Sequence, residues 1–383
     1  MRRRDPAAPL RVTTMVDSLQ VGGAERVAVE LACALDRTRF APHVIVTRDD
    51  GPLRALLEQA DVPITLLGRT RRSDVLPWIT AHRHLRHHTD LLHAHKFGSN
   101  AWGTALSRSA RVPLVAHEHN FSEQPSRSRR AIDRHWIARR AARVLCVSES
   151  VAEVERANGV PERLIEVLPN AVRLDAALPR DQARAELGLT QPSFTVGIVG
   201  CLRPEKAHEV LLAAVALLAR AGRDIRLCVV GDGPLATELR LQAARLGVES
   251  RVAWAGERRD AARLAGAFDV SVISSHWEGL PLAALEAMAA GVPLVATQVG
   301  GLPSLVRDGA GVLVPPADPA ALADALGALM DDPAQRARIA HAGRLRVERE
   351  HAFETLVARV EHVYDDVVGR LEAAEKRYER AVA

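Results

Sequence analysis

Two glutamates that could act together stand in one otherwise apolar stretch, "EGLPLAALE", which begins at Glu278 and ends at Glu286. The apolar run before it has strand character, and Pro281 suits the first turn of a following helix. We therefore expect Glu278 in a loop at the carboxyl end of a strand and Glu286 in the second helical turn. The free N–H groups at the start of that helix, beginning with Gly279 and Leu280, would bind an anion between the two carboxylates.

The alternative for these glutamates is structural, with one carboxylate complementing the helix dipole and the other solvated. Solvation explains Glu286 poorly, because Leu285 and Met288 flank it. We therefore favour a binding role for both carboxylates, one holding the hydroxyls of a sugar and the other a ribose diol.

A second loop brings two cations to the end of another expected strand. In "GCLRPEK", Gly200 ends an apolar run, Arg203 and Lys206 follow, and a helix is expected to start near Pro204. Two cations beside a helix N-terminus suit a diphosphate. A solvated turn with paired charges is the alternative. Lysine is rare among the 51 basic residues of the chain, so its use in this loop favours function.

Two further glycine-containing turns follow apolar runs. In "SLQVGGAERV", Gly22 and Gly23 precede a helix, so the backbone could approach an anion closely there. An ordinary strand-to-helix turn explains these two glycines equally well. The turn "VVGDGPLAT" superficially fits a dinucleotide-binding pattern, but Pro234 stands inside the motif and we discount it.

Short apolar runs alternate with longer amphipathic runs, which predicts parallel sheets with crossover helices. The expected strands of the first half are residues 11–16, 43–47, 63–67, 90–95, 112–116 and 144–147. A proline-containing break near residues 170–190 follows. The expected strands of the second half are residues 194–200, 225–231, 251–256, 269–275, 292–297 and 310–316, and a helical tail follows from about residue 318. The fold class is therefore α/β, with two Rossmann-like domains and a ligand expected in the cleft between them.

The bulk composition excludes several classes of protein. A chain of 383 residues is too long for one ordinary core, which agrees with two domains. A net charge of +4 and only 3% aromatic residues argue against a nucleic-acid binder. The cysteines form no C-x-x-C pair, no apolar run is long enough to span a bilayer, and the N-terminus lacks a signal-peptide pattern. We expect a cytoplasmic protein.

The motifs together resemble those of the family 4 glycosyltransferases, which are retaining enzymes with the two-domain GT-B fold. "EGLPLAALEA" resembles the family's E-x7-E signature, and "GGAERV", "VSES", "LPNAV", "GCLRPEK", "VGDGP" and "EAMAAGVPLVATQVGG" occur in the family's order over nearly the whole chain. The resemblance implies an acceptor-side domain at residues 1–178 and a nucleotide-sugar-binding domain at residues 179–350. A C-terminal helix, residues 351–383, is expected to pack back on the first domain.

The resemblance also implies which residues bind the donor diphosphate. Gly22 and Gly23 would approach it from the first domain, and Arg203 and Lys206 would neutralise it from the second. The family often has arginine where this chain has Cys201, so we expect Arg203 to replace that side chain. Glycine is also usual in the family where this chain has an alanine, at residue 207.

Further roles implied by the resemblance concern the sugar and the nucleotide. Glu278 would contact the transferred sugar, the backbone of residues 279–281 would hold sugar and phosphate, and Glu286 would bind the ribose. His119, in "VAHEHN", takes the position of the family's active-site histidine. Glu278 and His119 are thus the expected catalytic residues, and attack on the same face of the sugar would retain its configuration.

We expect no metal ligands and no cofactor beyond the nucleotide-sugar substrate, UDP- or GDP-linked. The chain contains no Asp-x-Asp, so cations and a helix dipole would hold the diphosphate instead of a metal ion. His93 and His95 resemble a metal-binding pair but lack a third partner at ligand spacing. We interpret His95 as a residue that lines the site and His93 as structural.

The acceptor is not specified by the sequence, and an unknown glycan, a lipid-linked sugar or a small molecule would all fit. Polysaccharide or glycolipid assembly is a family-level expectation. The basic segment at residues 126–144 is predicted to be a helix that could lie on an anionic membrane, or else an arginine-rich surface helix. Two rival functions stay open: a nucleotide-sugar isomerase of the same fold, and an inactive homologue that acts as an assembly partner.

Overall fold

A computed structural model describes residues 8–71, 74–119, 126–175 and 177–382, with side chains up to residue 370 and at residue 373. The chain forms two compact units. The first comprises Met1–Pro169 and Thr355–Ala383, and the second Asn170–Glu354. Residues just after Pro169 are bonded within the second unit, because the backbone of Val172 pairs with that of His351 and Phe353.

The first unit is built around a parallel sheet of seven strands in the order β3-β2-β1-β4-β5-β6-β7. Its strands are β1 Leu10–Ser18, β2 Phe40–Asp49, β3 Ile64–Leu66, β4 Leu91–His95, β5 Leu114–Glu118, β6 Ala141–Cys146 and β7 Ile165–Val167. Its helices are α1 Gly23–Ala34, α2 Arg54–Gln59, α3 Val75–His88, α4 Lys96–Ala110, α5 Arg127–Ile132 and α6 Glu149–Asn158. The strand order reverses between β1 and β4, which is where such folds place ligands.

The second unit contains a parallel sheet of six strands in the order β10-β9-β8-β11-β12-β13. Its strands are β8 Phe194–Val199, β9 Ile225–Val230, β10 Val252–Gly256, β11 Val270–Ile273, β12 Leu294–Thr297 and β13 Val312–Val314. The helices that follow α6 are α7 Arg180–Glu186, α8 His208–Arg220, α9 Ala236–Arg245, α10 Ala261–Leu264, α11 Leu282–Ala289, α12 Leu302–Leu305, α13 Pro319–Asp331, α14 Pro333–Glu350 and α15 Phe353–Val382. The reversal lies between β8 and β11.

The α/β class, the parallel sheets and the helical C-terminal region are confirmed. Every strand expected from the sequence is present, because runs of buried apolar residues on both faces of a strand are typical of parallel sheets. In the second unit the buried side chains of β8 and β9, such as Val196 and Leu227, pack against Leu211 and Val215 of α8.

Three local predictions were wrong. The expected helix at residues 126–144 ends as a π-helical turn, Asp133–Ile137, and Ala141 onward is strand β6. Ile137 is buried there, so this segment does not present a continuous apolar face to the solvent. The short strand β7 and the helix α7, which lies inside the proline-containing break, were both missed because each is short.

Helix α15 packs on the first unit from Thr355 onward. Tyr364 is fully buried and its hydroxyl group lies 2.7 Å from Nδ1 of His93. Arg39 donates to Glu361 over 2.7 Å, and Arg143 pairs with Asp366. Among the residues that the structure describes, no helix has the length and the apolar character needed to cross a bilayer.

Candidate functional site

Two loops of the second unit meet at the reversal of its strand order. One follows β8 and carries Arg203 and Lys206, and the other follows β11 and carries Glu278. Nζ of Lys206 lies 2.6 Å from Oε1 of Glu278, although the two residues are 72 positions apart in the chain. The loops also share a backbone hydrogen bond, from His276 N–H to the carbonyl oxygen of Glu205 over 2.9 Å. The structure therefore brings together a cation and a carboxylate that the sequence analysis placed in separate motifs.

The carboxylate of Glu278 is buried and its orientation is held from one side only. Its Oε1 accepts hydrogen bonds from Lys206 and, over 2.7 Å, from the hydroxyl group of Ser275. Its Oε2 accepts no hydrogen bond from the described residues. Ser275 was not predicted as a site residue, although it directly precedes the "HWEG" loop. One carboxylate oxygen is thus left to accept a hydrogen bond from a ligand hydroxyl group.

A third loop, which follows β12, supports the backbone of Glu278. Gly300 has φ +55°, and a Cβ atom there would lie 1.8 Å from the carbonyl oxygen of Glu278. The next residue, Gly301, donates its N–H to the carbonyl oxygen of Gly279 over 2.8 Å. Only glycine permits this close approach, so Gly300 belongs to the machinery that positions Glu278.

Helix α11 begins one residue later than expected. Pro281 has extended backbone angles and is the N-cap residue rather than part of the first turn. The carbonyl group of Leu280, which precedes it, accepts a hydrogen bond of 2.7 Å from the side chain of Asn170. Glu286 lies in the second turn as predicted, and its side chain is buried.

The loop after β8 holds Arg203 in an exposed position. None of the described side chains pairs with its guanidinium group, which is therefore available to a ligand. Cys201 is also exposed, as a free thiol. Ala207 ends the following 3₁₀ turn with φ +47° and is fully buried. The left-handed conformation that favours glycine is thus retained although the residue is alanine.

The glycines of the discounted dinucleotide-like turn have a structural use. A Cβ atom on Gly231, which has φ +149°, would lie 2.0 Å from the carbonyl oxygen of Gly200. Leu202 pairs through its backbone with Asp232 and Leu235, over 3.0 and 3.1 Å. The turn after β9 therefore packs against the loop that carries Arg203.

In the first unit, Gly22 is the N-cap residue of α1 and Gly23 begins the helix. The carboxylate of Glu25 folds back over Gly22, since a Cβ atom there would lie 2.5 Å from Oε2 of Glu25. Lys96, directly after β4, holds the same carboxylate with a contact of 2.6 Å. The helix N-terminus thus already has an anionic partner from the protein itself, and a role of these glycines in donor binding stays a prediction.

His119 directly follows β5 and is buried. Its Nε2 lies 2.9 Å from Nδ1 of His95, which ends β4. Burial lowers the pKa of both imidazoles well below the ordinary value, so both rings are neutral at physiological pH. A neutral imidazole donates a hydrogen bond from one ring nitrogen and accepts one at the other, which suits a residue that contacts a sugar hydroxyl.

The structure brings to His93 and His95 a third histidine that their sequence spacing does not show. Strands β4 and β5 pair so that His117 lies beside His95. One ring nitrogen from each of His93, His95 and His117 lies within 4.8 Å of the others. The missing partner is 22 residues away from His95, and no local spacing could have revealed it.

A buried charge cluster, which no sequence motif indicated, lies at the end of β5. Arg129 Nη2 lies 3.3 Å from Glu118 and 3.7 Å from Glu155, and its Nε lies 3.6 Å from Asp133. Asn100 donates to the Glu118 carboxylate over 2.7 Å. Burial raises the pKa of all three carboxyl groups, because one guanidinium group cannot compensate three buried negative charges.

Both halves of the chain match models of known protein families. Residues 21–176 match a family described as Glycosyltransferase Family 4, and residues 179–346 match one described as Glycosyl transferases group 1. These two matches cover both structural units.

Relatives of known name show similarity over most of the chain. The D-inositol 3-phosphate glycosyltransferase of Streptomyces scabiei is 33% identical over 353 residues, which cover 85% of this chain and 78% of the relative. The protein of the same name from Thermomonospora curvata is 34% identical over 309 residues, which cover 72% of this chain and 71% of the relative. The crystal structure of Anabaena HepE in complex with UDP-glucose has a TM-score of 0.85 at 25% identity, covering 93% of this chain and all of HepE.

Proposed function

This chain belongs to the family 4 glycosyltransferases and has their GT-B fold, and we propose that it is a retaining enzyme that uses a nucleotide-sugar donor. It would move the sugar from a UDP- or GDP-linked donor to an acceptor hydroxyl group. The observation that carries this proposal is the contact between Lys206 and Glu278 at the reversal of strand order in the second unit. A cation for the leaving diphosphate and a carboxylate for the sugar are combined there.

The leaving group is the part of the reaction that needs most stabilisation. The sugar–phosphate bond breaks with oxocarbenium character, and negative charge grows on the departing diphosphate. Arg203, whose guanidinium group has no protein partner, and Lys206 would neutralise that charge, together with the N–H groups at the start of α11. Because cations and backbone dipoles serve this purpose, we propose that transfer needs no obligatory metal ion.

Retention of configuration would follow from attack on the face that the diphosphate leaves. We assign Glu278 to sugar binding rather than to nucleophilic attack, with Lys206 and Ser275 fixing one oxygen of its carboxylate. Its Oε2 would instead accept a hydrogen bond from a hydroxyl group of the transferred sugar. The acceptor hydroxyl would then attack beside the departing phosphate, which takes the proton. His119 would contact the sugar as a neutral imidazole, and Glu286 would bind the ribose.

The nature of the donor and acceptor is supported only by relatives. Anabaena HepE was crystallised with UDP-glucose, so we favour a UDP-sugar as donor. The names of these two relatives make an inositol phosphate the first acceptor to test, ahead of the glycan and lipid-linked acceptors of polysaccharide or glycolipid assembly. Those names all describe glycosyl transfer, which favours a transferase over the isomerase alternative.

A cytoplasmic location with peripheral membrane binding is also part of the proposal. In the first unit, Arg134, His135, Arg139 and Arg163 line an open groove of about 510 Å³ that has no acidic lining residue. Such a groove suits the phosphate groups of an anionic membrane surface. Sedimentation with vesicles that contain anionic lipids at low salt, and loss of sedimentation in Arg134→Glu/Arg139→Glu, would support it. Equal sedimentation of both proteins would reject it.

Thermal stabilisation by nucleotide-sugars, without added metal, tests the main proposal. We expect UDP-sugars, or another single nucleotide class, to raise the melting temperature of the protein. Lys206→Ala and Glu286→Ala should each abolish the shift, whereas Arg220→Ala, an exposed arginine at the far end of α8, should retain it. A protein that responds to no nucleotide-sugar would contradict the transferase function and support an inactive homologue.

A further inference from the structure

Four histidines of the first unit lie close together on, or directly after, the neighbouring strands β4 and β5. His93, His95 and His117 lie on the strands and His119 follows β5; all four are buried. The ring centroids of His93 and His95 are 4.1 Å apart, and those of His95 and His117 are 5.1 Å apart. No carboxylate forms a hydrogen bond or ion pair with any of these rings among the described residues.

The hydrogen bonds of these rings are incomplete. Nε2 of His93, Nε2 of His95 and both nitrogens of His117 are buried without a partner in the described part of the chain. Orphaned polar atoms are rare in protein interiors, because their lost hydration is not replaced. An ion bound at these nitrogens would explain why three imidazoles stand together in the interior.

The opposite nitrogens of two rings already have hydrogen-bond partners within the protein. Nδ1 of His93 lies 2.7 Å from the hydroxyl oxygen of Tyr364. Nδ1 of His95 lies 2.9 Å from Nε2 of His119. If each Nδ1–H donates to that partner, Nε2 of both rings presents a lone pair on the side that lacks hydrogen bonds.

We propose that His93, His95 and His117 bind one divalent transition-metal ion, with zinc(II) as the reference ion. Neutral imidazoles are ligands for such ions, and burial keeps these rings neutral. The ligand atoms lie within 4.8 Å of one another, and tetrahedral zinc needs them at about 3.3 Å, so the rings must turn slightly inward. Water or hydroxide would take the fourth position.

This ion has a role different from that of the magnesium found in many nucleotide sites. It would cross-link β4 to β5 and orient His119 through His95. It would not hold the donor diphosphate, which the proposed function assigns to Arg203 and Lys206 of the second unit. The metal site therefore does not depend on the proposed function.

Metal content and cobalt spectroscopy of the full chain test this inference. We expect one zinc or cobalt ion per chain after addition of zinc(II) or cobalt(II) and gel filtration, with the visible absorption of tetrahedral cobalt. His93→Gln/His117→Gln should lose the ion, and Tyr364→Phe should weaken binding about 10-fold. The control His84→Ala/His88→Ala removes exposed and half-buried histidines of α3, and His208→Ala removes a buried histidine of the second unit; both should retain the ion.

Two results would overturn the inference: a wild-type chain that retains no zinc or cobalt, or binding that persists in His93→Gln/His117→Gln. Should that double variant fail to fold, X-ray absorption of the wild-type cobalt protein decides the question. Three imidazole ligands would support the site, and fewer would reject it. Donor binding, measured separately, reports on the proposed function alone.

Discussion

The ammonium group of Lys206 donates a hydrogen bond of 2.6 Å to the buried carboxylate of Glu278, and both follow neighbouring strands at the reversal of strand order. This pair joins the cation expected to neutralise the leaving group to the carboxylate expected to contact the sugar. The two residues therefore cannot be altered independently, because removing the lysine leaves a buried carboxylate that has lost its charged partner.

Replacement of Lys206 should damage catalysis more than it damages folding. We expect Lys206→Ala to lower kcat/KM by about 100-fold or more, since a cation is lost where charge develops. Lys206→Arg should recover only part of the activity, because guanidinium geometry differs from that of ammonium. Steady-state kinetics with a UDP-sugar measures both. Lys206→Ala with unchanged kcat/KM and an unchanged melting temperature would contradict the assigned role.

The family often has an arginine where this chain has Cys201, and we expect Arg203 to take over the role of that arginine in donor binding. We expect Arg203→Ala to weaken donor binding about 10-fold or more, because the exposed guanidinium group has no protein partner and its charge would be available to the diphosphate. Isothermal titration with UDP measures the dissociation constant. Arg220→Ala removes another exposed arginine of the same unit and serves as the control. Equal affinity in Arg203→Ala and the wild type would reject the replacement.

The close approach of Gly300 to Glu278 predicts a selective effect of a single methyl group. Gly300→Ala places a Cβ atom against the carbonyl oxygen of Glu278, whereas Gly309→Ala, also at a positive φ of +78°, meets open space. We expect both variants to lose about 1 kcal/mol of unfolding free energy from backbone strain. Gly300→Ala should lose about 1–3 kcal/mol more and most of its activity. Urea unfolding and kinetics compare the two; equal losses would show that the contact is unimportant.

The buried cluster around Arg129 predicts that stability falls as pH rises. Burial, with Glu118 and Asp133 nearby, raises the pKa of Glu155 in the folded protein above its value in the unfolded chain. Its stabilising contribution is therefore complete below the ordinary glutamate pKa and is lost progressively from about pH 5 to about pH 9.

The variant Glu155→Gln tests this pH dependence, because it keeps the shape of the side chain and cannot ionise. We expect a shallower fall in the free energy of unfolding between pH 5 and pH 9, and a more stable protein than the wild type near about pH 9. Glu153→Gln, on the exposed side of the same helix α6, should behave like the wild type. Parallel curves for wild type and Glu155→Gln would count against a raised pKa.

The donor site and the cluster of His93, His95 and His117 are expected to respond differently to the removal of metal ions. We expect full transferase activity without Mg²⁺, because cations of the protein would hold the diphosphate. A strong chelator should lower the melting temperature if it strips the ion from His93, His95 and His117, and zinc(II) or cobalt(II) should then restore it. Activity lost in chelator and regained with Mg²⁺ alone would contradict the metal-independent donor site.

Local patterns in the sequence were sufficient for the class of fold and for most elements. Apolar runs of strand length predicted twelve of the strands, and proline before an apolar helix placed Glu286 in its second turn. The patterns failed where an element is short, as for β7, or where one basic stretch changes conformation at Asp133–Ile137. In those places tertiary packing outweighs the weak preferences of a few residues.

The sequence by itself determined the α/β alternation, the family, the loops that carry Arg203, Lys206 and Glu278, and the helix that carries Glu286. Only the tertiary structure decided which of those side chains touch, and it alone brought His117 to His95 and Arg129 to Glu118 and Glu155. The physical reason is that strand order and register are set by the packing of the whole sheet. Two residues that pair across neighbouring parallel strands are separated in sequence by at least one crossover, so no local spacing records their contact.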